Sequence, residues 1–264
     1  MGKIQKSMMR VPEVILVFWI IKTLSTTVGE TGADFLASNL GLGMSIVSLL
    51  ICGAMAVLLY FQFIHFKRYI PVNYWTLVVL MSVLGTLVTD ILVDNMGVGL
   101  MPLSIVFTLM MIGAFYLWYR KEGTLSIHSI DSGSREAYYW LVILLAFALG
   151  TSVGDLIAEY FSLGYGSALM IFSGLIGAIC VAYYGFKINA VLAFWLAYIL
   201  TRPLGASLGD FLIQDGNGGL GIDIVTVNLA FVAAIVIGVS YLVLQEKANE
   251  KVSAEFATRS KNPV

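Results

Sequence analysis

Charge is scarce in this chain of 264 residues. Lys, Arg, Asp and Glu make up 12% of it, 59% is apolar and the mean hydropathy is +0.91, whereas soluble domains carry about 25% charged residues. So few charges cannot cover a water-facing surface, and an integral membrane protein is expected. Histidine is limited to His65 and His128, and cysteine to Cys52 and Cys180 with no CxxC spacing. A zinc or copper centre built on His and Cys is thereby excluded, and both cysteines, set in apolar runs, are expected to be packing residues. The net charge of −1 and the lack of a basic aromatic cluster exclude nucleic acid as a partner. There is no Ser and His pairing, no paired-His motif and no phosphate loop, so neither an enzyme nor an ATP-driven pump is expected. Alternating segments of the β-barrel kind are also absent, which leaves helices as the spanning elements.

What the chain does have is long apolar runs. Eight reach bilayer-spanning length, about 20 residues: Pro12 to Leu36, Met44 to Phe66, Val72 to Asp94, Leu103 to Tyr119, Ala137 to Tyr160, Ser167 to Phe186, Ala190 to Ile213 and Ile224 to Leu244. The first run, preceded by Lys3, Lys6 and Arg10, is too long for a signal peptide and lacks a small-residue cleavage pattern, so it reads as an uncleaved helix. Lys67, Arg68, Arg120, Lys121, Arg135, Lys187, Lys247, Lys251, Arg259 and Lys261 fall in alternate connections, and the connections near Gly41, Gly97, Gly164 and Gly218 have no Lys or Arg. The bias toward basic residues in cytoplasmic loops then places both termini in the cytoplasm and turns the four glycine-rich connections outward.

The remaining charge is patterned. Four apolar runs end in an acid with a second acid or amide four residues later: Glu30 and Asp34, Asp90 and Asp94, Asp155 and Glu159, Asp210 and Gln214. On a helix, residues four apart share a face, so each pair reads as a two-oxygen claw. Seven of the chain's 16 acidic residues occupy these costly apolar positions, and an ionisable residue inside a membrane marks a functional site by default. The surrounding triplets stack as Val28 Gly29 Glu30, Val88 Thr89 Asp90, Val153 Gly154 Asp155 and Leu208 Gly209 Asp210. Gly85 Thr86 matches Gly150 Thr151, and Asn39 to Gly43 matches Asn95 to Gly99. First acids recur every 55 to 65 residues, the length of a helical hairpin.

The expected architecture is therefore an all-α membrane protein of eight transmembrane helices, built from four parallel two-helix repeats. The chain is one transmembrane domain, with repeats at about 11–70, 71–134, 135–188 and 189–246 and a polar tail at 247–264. The odd helices should converge on a shared axis, bringing the acidic pairs into one layer. The stretch from Arg120 to Arg135 joins two halves and forms no separate domain.

A layer of like charges cannot stay ionised without partners. Lys22 and Arg202 each lie eight residues before the first acid of their repeat, about 12 Å of helix rise, too far to bridge to their own pair. They are expected to neutralise carboxylates of other repeats or to gate an exit path. The ligand inventory is nearly pure oxygen, which favours manganese, magnesium, calcium or sodium over zinc or copper. Thr26, Thr27, Thr86, Thr151, Ser152 and Ser207 add hydroxyls close before the acids, although such hydroxyls commonly bond a carbonyl one turn back. Gly29, Gly154 and Gly209 suit close helix crossings, and Pro203 with Gly205 should kink or break the seventh helix.

On these residues the chain resembles an uncharacterised bacterial family of multi-pass, membrane-anchored repeat proteins with a Gly-Asp/Glu motif four times over, from about residue 11 to 245. It also looks distantly similar to exporters of manganese or calcium that pair acidic motifs from internal repeats. Those carry a basic residue and a hydroxyl after the motif, where this chain has Ile91, Leu156 and Phe211. The expected function is a transporter, an exporter first, of a small hard cation with manganese foremost. It would exchange the cation for protons across a bacterial inner membrane and need no bound cofactor. The partners are then the lipid bilayer, the cation and protons. A cation channel and a structural or sensor protein are the alternatives.

Overall fold

The computed structural model describes residues 9–261, with side chains as far as Ala248. Among these are eight long helices and no strand: α1 Leu16–Asp34, α2 Met44–Tyr60, α3 Pro71–Asp90, α4 Leu100–Glu122, α5 Gly133–Asp155, α6 Tyr165–Phe186, α7 Ala190–Ile213 and α8 Ile224–Lys261. Seven of them, α2 to α8, are long and apolar enough to cross a membrane. The exception, α1, carries Lys22, Glu30 and Asp34 within 19 residues.

Local chemistry sets the helix ends. Pro71 opens α3, where its missing N–H is unneeded. Asn189 caps α7 by accepting from the amides of Val191 and Leu192 at 2.9 and 3.2 Å. Gly123, at φ 70°, ends α4 in the left-handed conformation that glycine adopts without strain. The first helix starts at Leu16, later than the expected Pro12. Pro12 disfavours a helical residue before it, and that segment is tied sideways instead, with the Arg10 amide donating to the Ile130 carbonyl at 3.0 Å.

The odd helices form a closed ring, α1 to α3 to α5 to α7 and back to α1, and each crossing is tight. A side chain at Gly29 would collide with Ser82 of α3, and one at Gly85 with Phe147 of α5. Gly150 faces Arg202 and Pro203 of α7, and Gly205 faces Thr26 of α1. Glycine at these four places lets the neighbouring helices approach closely.

The even helices surround this ring, with a twist of connectivity. Each packs on the odd helix of the next repeat: α2 on α3, α4 on α5, α6 on α7, and α8 on α1. The two helices of one repeat barely touch outside their shared turn. Much of the outer surface of the even helices is exposed and apolar, including Leu49, Leu109, Met170, Val181 and Leu229.

Two sequence expectations change here. Of the expected kink or break at Pro203, the break does not occur, since α7 runs from Ala190 to Ile213. The proline ring sits over the bare backbone at Gly150, so packing offsets the hydrogen bond it removes. Cys52 and Cys180 are exposed rather than packed in the core, because α2 and α6 turn only a narrow stripe toward the ring. The stretch from Arg120 to Arg135 buries Ile127 and Ile130, and Arg135 pairs with Glu122 at 3.0 Å.

Candidate functional site

One side chain ties the ring together at its centre. Arg202 projects from α7, is 0% exposed, and through Nη2 donates to Glu30 of α1 at 2.8 Å, to Thr151 of α5 at 2.7 Å and to Thr86 of α3. A guanidinium bonded to the three other odd helices must lie on the ring's axis. The threonines accept because their own hydroxyl protons are engaged elsewhere. Thr86 donates to the Ser82 carbonyl and Thr151 to the Phe147 carbonyl, both at 3.3 Å. The carbonyl one turn back thus turns each oxygen lone pair toward the axis. The Glu30 carboxylate also lies 3.3 Å from Thr86 Oγ1 and competes with the Ser82 carbonyl for its one proton. Arg202 Nε and Nη1 are buried without a hydrogen-bond partner among the described residues.

Lys22 is also 0% exposed, but among the described residues no carboxylate pairs with it. Its Nζ donates to Thr201 Oγ1 at 3.1 Å and lies over the rings of Tyr198 and Phe147, at 4.2 and 4.5 Å from their centroids. The two expected counter-charges therefore behave differently: Arg202 reaches a carboxylate of another repeat, and Lys22 reaches none.

The four first acids occupy one tier. Glu30 and Asp210 are buried, Asp90 and Asp155 partly exposed. Asp90, Asp155 and Asp210 each lie within electrostatic reach of Glu30, and Asp90 and Asp155 within that of Arg202. Glu30 is the carboxylate common to all three. The second acids diverge from the expected claws. Asp34 is partly exposed, while Asp94 and Glu159 are exposed. A change of helical pitch accompanies this in repeats two and three, which widen into π-helical turns directly after the first acid, at Ile91–Asn95 and Leu156–Tyr160, whereas in repeat one the turn at Phe35–Asn39 follows the second acid, Asp34. Such turns are common at functional sites. Glu159 is engaged by the Tyr165 hydroxyl at 2.7 Å. In repeat four the expected pairing fails outright, because Gln214 lies past the end of α7 in extended backbone.

Among the described residues no three His, Cys, Asp or Glu side chains converge closely enough to hold a metal ion. Of the expected set of Glu30, Asp34, Asp90, Asp94, Asp155, Glu159, Asp210 and Gln214, the structure brings Asp90, Asp155 and Asp210 within electrostatic reach of Glu30, which holds Arg202. Asp94 and Glu159 are exposed yet stay within electrostatic reach of Asp90 and Asp155 respectively, Asp34 stays within reach of Asp90 and Asp210, and Gln214 lies past the end of α7. Gly29 has the close contact expected of it and Gly209 a tight one against Thr31, while Gly154 has only ordinary contacts. His65 and His128 are exposed.

The opposite half of the ring is an aromatic plug that sequence reasoning missed. Phe18 of α1 meets Trp75 of α3 at 5.5 Å, Tyr74 meets Trp140 of α5 at 5.3 Å, Tyr139 meets Trp195 of α7 at 6.1 Å, and Phe194 closes onto Phe18 at 6.3 Å. The Tyr74 and Tyr139 hydroxyls are hydrogen-bonded to each other. A signal was present: Tyr74 Trp75, Tyr139 Trp140 and Phe194 Trp195 all fall 15 to 16 residues before their first acid. In repeat one the pair Phe18 Trp19 comes one turn later in register. Beyond the plug, buried Glu136 accepts from Arg10 Nη1 and Gln62 Nε2, both at 2.7 Å, and Asn73 donates to Gln62 at 2.8 Å. The acid tier is thus partly open at the glycine-turn end, and the axis is sealed at the basic end.

A family model described as Repeat of Unknown Function (DUF347) matches the chain four times, at 17–67, 73–124, 138–189 and 193–248. No curated protein and no solved structure matches it.

Proposed function

Because the chain belongs to the family described as Repeat of Unknown Function (DUF347), whose description carries no activity, we propose from the site itself that this is a proton-coupled carrier of a small hard cation. A divalent ion with manganese foremost is the cargo. All eight helices cross the bilayer, and the four repeats enter it in the same sense. The basic ends and both termini face the cytoplasm of a bacterial cell, as the distribution of Lys and Arg implies.

The observation that carries this reading is the axial Glu30, shared by Arg202 and electrostatically linked to Asp90, Asp155 and Asp210. A cation entering from the partly open end competes with Arg202 for Glu30 and draws the other carboxylates inward. When it leaves, Arg202 returns and protons refill the remaining acids, since unscreened carboxylates at one level repel each other. A guanidinium and an ammonium near the axis, above a sealed aromatic tier, oppose a continuous cation pore, so a carrier is favoured over a channel.

A second reading, a structural or sensory bundle without transport, draws on the lack of any preformed three-ligand group among the described residues. Purified protein in sealed vesicles separates the two. Manganese entry, read by quenching of a trapped dye, should occur with wild type and fall to the protein-free level with Asp90→Asn combined with Asp155→Asn. Entry absent from wild type, or unchanged in the double variant, rejects the carrier.

A further inference from the structure

Cation exchange at the acids leaves one buried ionisable group unused. Lys22 is fully enclosed, and among the described residues its ammonium has a single hydrogen-bond acceptor, Thr201 Oγ1, plus the faces of Tyr198 and Phe147. A lysine buried without a carboxylate is costly as a cation, and its compact, proton-bearing nitrogen can lose that charge, which an arginine cannot. From α7 it is faced by Thr201, Tyr198 and the guanidinium of Arg202, the charged group that acts on it. From α5 it is faced by Phe147, and on its own helix Glu30 lies two turns further on, held by Arg202. Among the described residues no titratable group of α3 or α8 is hydrogen-bonded or ion-paired to it. The chain thus places a releasable proton on the far side of the Arg202–Glu30 pair from the opening.

We propose that Lys22 is the coupling residue of the carrier, giving up one proton when a cation takes Glu30 and regaining it when the cation leaves. This rests on the carrier reading and specifies how its protons are counted. With Glu30 on the cation, Arg202 loses its anion and its charge is left facing Lys22. The Nζ–H bond breaks, the electron pair stays on Nζ, and the proton leaves to water on the side from which the cation came. After the cation is released on the other side, Arg202 returns to Glu30 and Nζ takes a proton from that side. Each cycle then moves one proton through Lys22 against one cation, besides any carried by the acids. Lys22 acts through Arg202 and needs no contact with the cation.

The test follows manganese and protons together in vesicles holding a manganese-quenched dye and a pH dye. Three variants are compared: Lys22→Met, which keeps the stem between the two rings, Lys22→Gln and Lys22→Arg, each checked for a single symmetric species on gel filtration. Wild type should move protons against manganese. The Met and Gln variants should pass manganese down its own gradient with a reduced proton signal and a flattened pH profile. Lys22→Arg keeps charge and length but cannot deprotonate, so coupled flux should be lost at every pH. Wild-type coupling in Lys22→Arg overturns the proposal even if the other two variants do not fold. An unchanged ratio of protons to manganese in the Met or Gln variant overturns it as well. Wild-type manganese flux without proton movement rejects Lys22 as coupling residue while leaving transport standing. No manganese flux in wild type rejects the carrier reading itself.

Discussion

The seam between α1 and α7 and the seam between α3 and α5 are built on the same backbone plan but with different chemistry. At the first, Gly205 lets Thr26 in close, Arg202 pairs with Glu30 at 2.8 Å, Lys22 donates to Thr201, and Thr26 donates to the Thr201 carbonyl at 3.2 Å. At the second, Gly85 lets Phe147 in close and Thr89 donates to the Ala148 carbonyl at 3.1 Å. Its two first acids, Asp90 and Asp155, make no ion pair among the described residues. Hydroxyl-to-carbonyl bonds and bare glycine backbone suffice to hold two helices together. The ion pair at the first seam is therefore not needed merely to close the ring, and a buried pair is weak evidence of stability in its own right. Glu30 at the first seam is paired with Arg202, whereas Asp90 and Asp155 at the second have no ion pair among the described residues, an asymmetry suited to a cation that must displace one charge to gain several.

The sharpest break of this comparison is Arg202→Leu. Glu30 would be left without its cation, a loss on the order of 3–5 kcal/mol for breaking a buried pair. Thermal unfolding of the purified protein should show it, and Arg202→Leu combined with Glu30→Gln should recover most of the deficit. A double variant no better than the single one means that Arg202 acts through packing and not charge. No single change at Asp90 or Asp155 should cost comparable stability.

A smaller effect tests whether the seams are equal as packing. Gly85→Ala places a methyl 2.7 Å from Phe147 Cβ and 3.0 Å from the Ala148 amide, and Gly205→Ala places one 2.0 Å from Thr26 Oγ1 and 3.0 Å from the Thr27 amide. Overpacking of this kind costs about 1–3 kcal/mol, and both variants should melt earlier by similar amounts. Gly174→Ala on α6, with nothing within 4 Å, should not. Gly205→Ala should also depress manganese flux more than Gly85→Ala, because it displaces the helix that carries Arg202. Equal flux would show that the two seams do not differ in function.

Pro203→Ala should leave the fold and equilibrium manganese binding intact while slowing turnover several-fold, as a fully bonded α7 moves less readily. Isothermal titration and initial-rate flux on one preparation would expose any loss of binding. The smallest effect belongs away from both seams, at Asp223. Its exposed carboxylate accepts from the Thr226 amide and hydroxyl, both at 2.9 Å, at the start of α8, and these bonds hold it below the usual carboxylate range. A lowered folded-state value stabilises at neutral pH, and the contribution fades as pH falls through that value. Asp223→Ala should therefore lower the melting temperature slightly at pH 7 and not in strong acid. A deficit that persists in acid would mean the cap does not depend on charge.

Much of the ring was readable in advance. The shared register of Glu30, Asp90, Asp155 and Asp210 points to a common tier, and Gly29 points to a close crossing, because spacing along a helix converts directly into height and face. The second acids were read less well. Spacing of four assumes constant pitch, and π-helical turns directly after Asp90 and Asp155 change it between the two acids without an obvious local signal. Gln214 could not be placed, since a helix end depends on the chain beyond it, here a loop whose amides at Leu220 and Ile222 bond the Phe211 and Leu212 carbonyls. The aromatic dyads were legible but overlooked, as aromatic residues in an apolar helix do not stand out from the lipid-facing ones.

The sequence by itself determined that this chain is apolar, helical and fourfold repeated, and which residues of each repeat carry charge. Those properties depend on composition and on positions close along the chain, where a helix leaves few choices. Only the tertiary structure decided which helices meet. Each even helix packs on the next repeat's odd helix, α8 closes onto α1, and Arg202 crosses the axis to Glu30, 172 residues away in sequence. Four nearly equivalent hairpins can pair in several ways with similar local energies. The choice is made by long-range fit, a glycine opposite a large side chain and a lone cation opposite a buried acid, and no local pattern records it.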